Sequence, residues 1–300
     1  MTSTLHAPPD PYVSRHDEQW RLVDRQDPVL WGDGEGPLGA TLRQQFTADG
    51  FLFFDQLLGR QEATSLLEEA NRLAQTADRR APGVVVEPGG GAVRSLFRIH
   101  RTNEVFKAVA RDPRLVEMAR QILGSDVAIH QSRINFKPGF DGKEFFWHSD
   151  FETWHVEDGM PRMRAVSCSI LLTENTPLNG PLMLVPGSHR VYVQCPGGTP
   201  DEHYRQSLRK QEYGVPSREA LAALMERGGG ITAPKGGPGS ATMFDCNTMH
   251  GSVGNLSPYP RTNLFLVYNS VENALENPFG SARPRPEFLA ERETVAVGDL

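Results

Sequence analysis

Three short pairs in this chain place a carboxylate two positions after an imidazole: His16 with Glu18, His148 with Asp150, and His155 with Glu157. Two histidines and one carboxylate converging on one face make a ligand set for Fe(II) that leaves three coordination positions open for substrate chemistry. The pair alone is weak evidence, because 9 His and 37 Asp+Glu among 300 residues give 9 × 37/300, about one such match, by chance. Surroundings must choose between the three. His16 lies in a polar stretch with no apolar run beside it and reads as exposed. His148 and Asp150 stand among Phe145, Phe146, Trp147 and Phe151 in the run FFWHSDFETWHVEDGMP, residues 145–161. If that run is extended, its period of two turns both side chains to one face of a dry pocket. His155 and Glu157 run into Glu-Asp-Gly, a turn signal, and read as a water-facing rim.

A second histidine must come from elsewhere. His250 closes the apolar run GSATMFDCNTMH, and Arg261 opens RTNLFLVYNSVE eleven residues later, after a Gly/Asn/Ser/Pro turn. In an antiparallel pair the two side chains enter one barrel from neighbouring strands. Taken singly, His250 is as well explained as a barrel-mouth histidine and Arg261 as a surface arginine. Together they suit a dicarboxylate that chelates iron at one end and needs a guanidinium fork at the other.

The elements that would position these residues divide the chain in two. The stretch from Gly59 to Arg80 and RLVEMARQILG, residues 114–124, carry apolar residues at helical spacing. Between them VVVEPGGGAVRSLF has three consecutive glycines without the Lys-Ser/Thr of a phosphate loop, and reads as a flexible loop. Residues 126–139, 162–174, 180–190, 239–252 and 261–272 are short apolar or alternating runs bounded by Gly, Pro and Asn, the pattern of strands. One helix interrupts them, with Ser217 as its N-cap. The expected fold is α+β: a jelly-roll core with flanking helices, in a single domain over 1–300, with an irregular arm over 1–40 and a tail over 284–300.

Composition narrows the class of partner. Lys+Arg 31 against Asp+Glu 37 leaves a net charge of −6, with no basic run for nucleic acid or an anionic membrane, so a small-molecule partner is expected. The start lacks an apolar run with a basic lead, and no stretch has the length of a membrane span, so a cytoplasmic location is expected. Cys168, Cys195 and Cys246 are too scattered for a metal knuckle and read as packing residues.

The run from Phe145 to Pro161, with HQSRINFKPG, ENTPLNGPLMLVPGSHR and DCNTMHGSVGNLSPYPRTNLFLVYNSVENAL, resembles the ectoine hydroxylase branch of the phytanoyl-CoA-dioxygenase-like oxygenases. The resemblance spans nearly the whole chain. It implies a double-stranded β-helix (cupin-like) core in which His148, Asp150 and His250 bind Fe(II), with 2-oxoglutarate and O2 as co-substrates. It implies that 2-oxoglutarate meets Lys137, Asn135, Phe145, Ser167, Ser252 and Arg261, and that ectoine meets Gln131, Arg133, Trp154, Phe244 and Phe265. The implied reaction converts ectoine to 5-hydroxyectoine, with succinate and CO2 released, in the making of stress-protective solutes. Rival readings are the same chemistry on another small acid or acyl substrate, a non-catalytic cupin-like metal-binding protein, and a zinc hydrolase. The oligomeric state stays open, a homodimer included.

Overall fold

The computed structural model describes residues 10–89, 91–208 and 211–300. Twelve strands are found among them: β1 Arg21–Asp24, β2 Phe51–Phe54, β3 Val84–Val86, β4 Val93–Phe97, β5 Val127–Lys137, β6 Phe145–His148, β7 Ala165–Leu171, β8 Met183–Leu184, β9 Val191–Gln194, β10 Ala241–Asp245, β11 His250–Ser252 and β12 Arg261–Ser270. They form a seven-stranded sheet in the order β2-β10-β7-β12-β5-β4-β3, a three-stranded sheet β6-β11-β8, and a β1-β9 ribbon. Every named pairing is antiparallel.

The large sheet is buried on both faces, and its two faces differ in chemistry. Along β5, β7, β10 and β12, Ile134, Phe136, Val166, Cys168, Ile170, Met243, Leu264, Leu266 and Tyr268 form one apolar core with Leu66 and Ala70 of helix Arg60–Thr76 and Leu115, Val116 and Ala119 of helix Pro113–Leu123. The alternate positions Gln131, Asn135, Lys137, Ser167, Arg261 and Asn263 are buried as well, yet polar. Strand periodicity therefore sends hydrocarbon under the helices and hydrogen-bonding groups to the opposite side. The register then sets them in pairs, Arg261 opposite Lys137, Asn263 opposite Asn135 and Phe265 opposite Arg133.

Local signals hold where they are strong. Helix Pro113–Leu123 begins with Asp112 accepting from the Arg114 N–H at 2.8 Å and stops at Gly124. Ser217 caps helix Arg218–Gly228 by accepting from the Ala220 N–H at 3.1 Å. The three free cysteines are buried packing residues.

Four expectations change. The Gly-rich stretch after Val84 is the β3–β4 hairpin, whose flanking valines pair while Gly89 sits at positive φ in the turn. The run over 180–190 is mostly coil and a short 3-10 turn, with two residues in β8. The arm over 1–40 is not wholly irregular: residues 1–9 lie outside the described residues, and in the rest Tyr12 and Arg15 are buried and β1 pairs with β9. Tyr12 packs edge-on against Phe151 and Tyr192. Its partners lie over a hundred residues away, where periodicity gives no sign of them. Finally, β11 and β12 are not a pair; they belong to different sheets.

Gly159 ends the turn Trp154–Asp158 at φ +83, and a Cβ there would strike the Glu276 carbonyl. Gly159→Ala should lower stability by about 1–3 kcal/mol, read as a drop in the denaturation midpoint.

Candidate active site

β6 and β11 bring two of the three predicted donors together directly, because His148 and His250 are register partners. Asp150 follows two residues later, as the first residue of a short helix rather than as part of the strand. The change of backbone does not separate the groups. His148 Nε2 lies 3.6 Å from Asp150 Oδ1, and His250 Nε2 lies 3.8 Å from Asp150 Oδ2. One ligand atom from each residue falls within 4.8 Å of the others, the one such His/Cys/Asp/Glu group found among the described residues.

The remaining ring nitrogens are already committed. His148 Nδ1 meets the Phe146 carbonyl at 2.7 Å and His250 Nδ1 meets the Thr248 carbonyl at 2.9 Å. Each carbonyl accepts only if Nδ1 carries the proton, so both Nε2 lone pairs are free toward Asp150. Burial, then His148, pushes His250 down to about 4, so it is a neutral donor near pH 7. Burial raises the Asp150 carboxyl, but His250, His148 and Arg133 outweigh it and hold it well below the usual carboxylate range. Two imidazoles and a carboxylate suit a divalent ion of the Fe(II) type.

Two adjoining cavities open from this triad and share Arg133, Phe145 and His148 as walls. The smaller, about 340 Å³, runs past His250, Asn135 and Ser252 to Arg261. Arg261 donates from Nη2 to Asn135 Oδ1 at 2.9 Å, while its Nε–H and that of Arg133 have no hydrogen-bond partner among the described residues. Lys137 donates to Ser252 Oγ at 2.7 Å and to the Val253 carbonyl. Arg94 sits over the Phe145 ring at 3.9 Å. Its ion-pair partner is Glu87, 2.9 Å away.

This end of the site therefore holds more cations than anions. Burial, then Arg94 and Arg133, pushes Arg261 down to about 9. Burial, then Arg261 and Arg94, pushes Lys137 down to about 6. An arginine so far below its ordinary value reports a desolvated charge without its counter-ion. The unpaired Nε–H groups point to the same deficit, and a dicarboxylate would meet it.

The larger cavity, about 670 Å³, is lined by Gln131, Arg133, Asp150, Thr153, Trp154 and Glu157, with Arg285 and Leu289 of the tail. Trp154 is buried with its ring 4.8 Å from that of His130. Arg133 stands 4.9 Å over the Phe265 ring. Of the other predicted residues, Ser167 reaches Asp150 Oδ2 at 3.4 Å, and Phe244 packs on the His250 ring at 5.0 Å. Those two and Lys137 support the walls; they line neither cavity.

Sequence reasoning missed Thr153, Arg285 and Leu289. Thr153 was within reach, being next to Trp154 in the same run. Arg285 sits in SARPRPEF, which has no periodicity to read; contacts such as the bond from Gln131 Nε2 to the Leu289 carbonyl at 2.5 Å and those from Arg285 to Asp158 bring the tail against the cavity. The expected water-facing rim is also corrected. His155 and Glu157 lie in a π-helical turn, Trp154–Asp158, and are 0% and 3% exposed. His155 bonds to Asp10 and to the Met160 carbonyl, and is thereby excluded from the triad.

A two-sheet antiparallel barrel with this donor set between its sheets is the architecture of the non-haem iron oxygenases. The chain belongs to the phytanoyl-CoA dioxygenase (PhyH) family, whose pattern matches residues 46–263. It is 54% identical over 287 residues to the ectoine dioxygenase of Bordetella bronchiseptica, covering 95% of this chain and 93% of that one. It is 52% identical to the ectoine dioxygenase of Halomonas elongata, covering 96% and 87%. The crystal structure of EctD from S. alaskensis with 2-oxoglutarate and 5-hydroxyectoine superimposes with a TM-score of 0.86 at 47% identity, covering 96% of each chain. The carbocyclase SnoK shares the fold alone, at 16% identity and TM-score 0.59 over 80% of this chain and 88% of that one.

Alanine at His148, Asp150 or His250 should abolish stoichiometric Fe(II) binding measured by anaerobic titration. His155→Ala should keep it. Iron lost from the His155 variant and retained by the His148 variant would reverse the choice between the two pairs.

Proposed function

We propose that this protein hydroxylates ectoine to 5-hydroxyectoine, dependent on Fe(II), 2-oxoglutarate and O2, with succinate and CO2 as co-products. The observation that carries this reading is the cation-rich end of the site: Arg133 and Arg261 line the smaller cavity with His148 and His250, and Lys137 stands behind its wall at Ser252. His148, Asp150 and His250 would hold the iron, as the free Nε2 atoms and the depressed Asp150 carboxyl fit a divalent cation. Bound iron supplies O2 activation, with the oxidative decarboxylation of 2-oxoglutarate providing the two further electrons needed to put one oxygen atom into a ring C–H bond.

The chain's own part is binding, orientation and exclusion of water. Arg261 presents its guanidinium fork to the far carboxylate of 2-oxoglutarate, held in plane by Asn135. Lys137, fixed by Ser252, adds a second donor beside it. Trp154 offers an indole face to the substrate's cationic amidinium, and Gln131 walls the same space, while Phe265 lines the adjoining smaller cavity. A substrate held this way presents one ring CH2 to the metal face, and the buried walls keep water from the oxidant. The charge and aromatic faces of the larger cavity suit a compact zwitterion better than a long acyl chain.

Product analysis tests the reading. Iron-loaded protein incubated with 2-oxoglutarate, O2 and ectoine should form 5-hydroxyectoine and succinate in equal amounts. Succinate without hydroxylated ectoine would move the assignment to another substrate.

The co-substrate should show a particular pH dependence. Lys137 has a free-state value of about 6, and a bound dianion must raise it, so binding takes up a proton wherever the pH exceeds that value. Affinity for 2-oxoglutarate is then full below pH 6 and should fall as pH rises, by up to about tenfold per unit. Calorimetry from pH 6 to 8 on the iron-loaded protein measures the slope. Lys137→Met should flatten it.

A further inference from the structure

The larger cavity contains an acid that the chemistry above leaves unused. Glu157 lines it with Trp154, Asp150 and Arg285, and its side chain is 5% exposed. Oε1 accepts from the Arg15 Nη1–H at 2.6 Å. Oε2 has no hydrogen-bond partner among the described residues.

Arg15 does not balance this carboxylate. The same guanidinium already donates to both oxygens of Glu152, from Nε at 2.9 Å and from Nη2 at 2.7 Å. Side-chain exposures of 0%, 2% and 5% for Arg15, Glu152 and Glu157 leave little water to make up the difference. The next cation, Arg285, is held by both oxygens of Asp158 at 2.8 and 2.5 Å. Among the described residues, the guanidiniums of Arg15 and Arg285 face the carboxylates of Glu152, Glu157 and Asp158, with Arg133 across the cavity toward Asp150, and the Glu157 oxygen without a hydrogen-bond partner meets the cavity. Burial pushes the nearby His203 imidazole down, so it adds no positive charge near neutral pH. Among the described residues, then, the two ends of the site differ: unpaired guanidinium N–H groups lie toward Arg261, and an unpaired carboxylate oxygen lies beside Trp154.

We propose that Glu157 is a specificity-determining residue whose free oxygen accepts an N–H of a cationic ring, so that the cavity selects a small cyclic amidinium over a neutral ring of the same shape. The inference rests on the hydroxylase reading and deepens it. Trp154 would cover the face of the ring while Glu157 takes its edge. The arm supplies Arg15, which fixes the carboxylate without neutralising it.

Glu157→Gln tests the charge at constant shape, because the amide oxygen can still accept from Arg15. The probes are ectoine and 6-oxopiperidine-2-carboxylate, a six-membered lactam acid with no cation, used as a competitor. Loss of one member of a buried charged contact predicts a KM for ectoine raised at least ~30-fold. The kcat, the KM for 2-oxoglutarate and the inhibition constant of the lactam should stay close to the parental values. The parental preference for the cationic ring should therefore disappear. A folded Glu157→Gln protein with parental discrimination between the two rings overturns the proposal. Equal weakening of both ligands with a lowered melting temperature also overturns it, since that is the mark of a purely structural acid. Should Glu157→Gln not fold, Glu157→Asp decides: a carboxylate withdrawn by one methylene must weaken ectoine and spare the lactam. A parent protein that consumes 2-oxoglutarate but leaves ectoine untouched removes the substrate reading and this inference with it, an outcome separate from the others.

Discussion

Removing an ionised side chain from water costs several kcal/mol even after the protein relaxes, and this chain does so repeatedly around one cavity. Lys137 and Arg261 are buried on the seven-stranded sheet's polar face, with Arg133 near them and close enough to Asp150 to lower its carboxyl. Lys137 falls to about 6 and Arg261 to about 9, chiefly through burial. A site that already tolerates this deficit gains from any anion that enters, because the desolvation has been met by the fold. Binding then needs little rearrangement, which is the physical content of preorganisation.

What allows the burial is a division of labour across the sheet. One face carries Val166, Ile170, Leu264 and Leu266 under two amphipathic helices and supplies a continuous apolar core. The other carries polar side chains held by their neighbours, such as Asn135 between Arg261 and Ser95. The short sheet β6-β11-β8 then brings both imidazoles to this space from a single pairing, His148 with His250. Metal donors and anion-binding cations thus come from different sheets, and the cavity is the gap between them.

The ends of the chain finish the far side. Asp10 and Arg15 reach into the Trp154–Asp158 turn from the N-terminal arm, and Arg285 and Arg292 reach it from the tail. A π-helical turn has room for this, since its wider ring spreads successive side chains toward several partners. Trp154 is held within that lattice, so the cavity wall it forms is only as firm as the two ends that clasp it.

His148, Asp150 and His250 were legible in the sequence because local context marks them, with aromatic neighbours around the first two and an apolar run ending at the third; Arg261 was chosen through an expected pairing with the His250 strand, whereas β11 and β12 lie in different sheets. The strands β5, β7, β10 and β12 and the helices over 60–76, 113–123 and 218–228 were legible for the same reason, being strongly periodic with clear caps. The place of Glu157 was not, because Glu-Asp-Gly favours a turn locally and says nothing about Arg15, 142 residues away. The β3–β4 hairpin, the buried arm and Arg285 were hidden likewise; their stability comes from partners distant in the chain. Residue type and spacing determined which groups could bind a metal and a dicarboxylate, since those are properties of the side chains themselves. Only the tertiary structure decided which charges are left without a counter-ion, because charge balance depends on every neighbour within a few ångströms and on the water that burial removes.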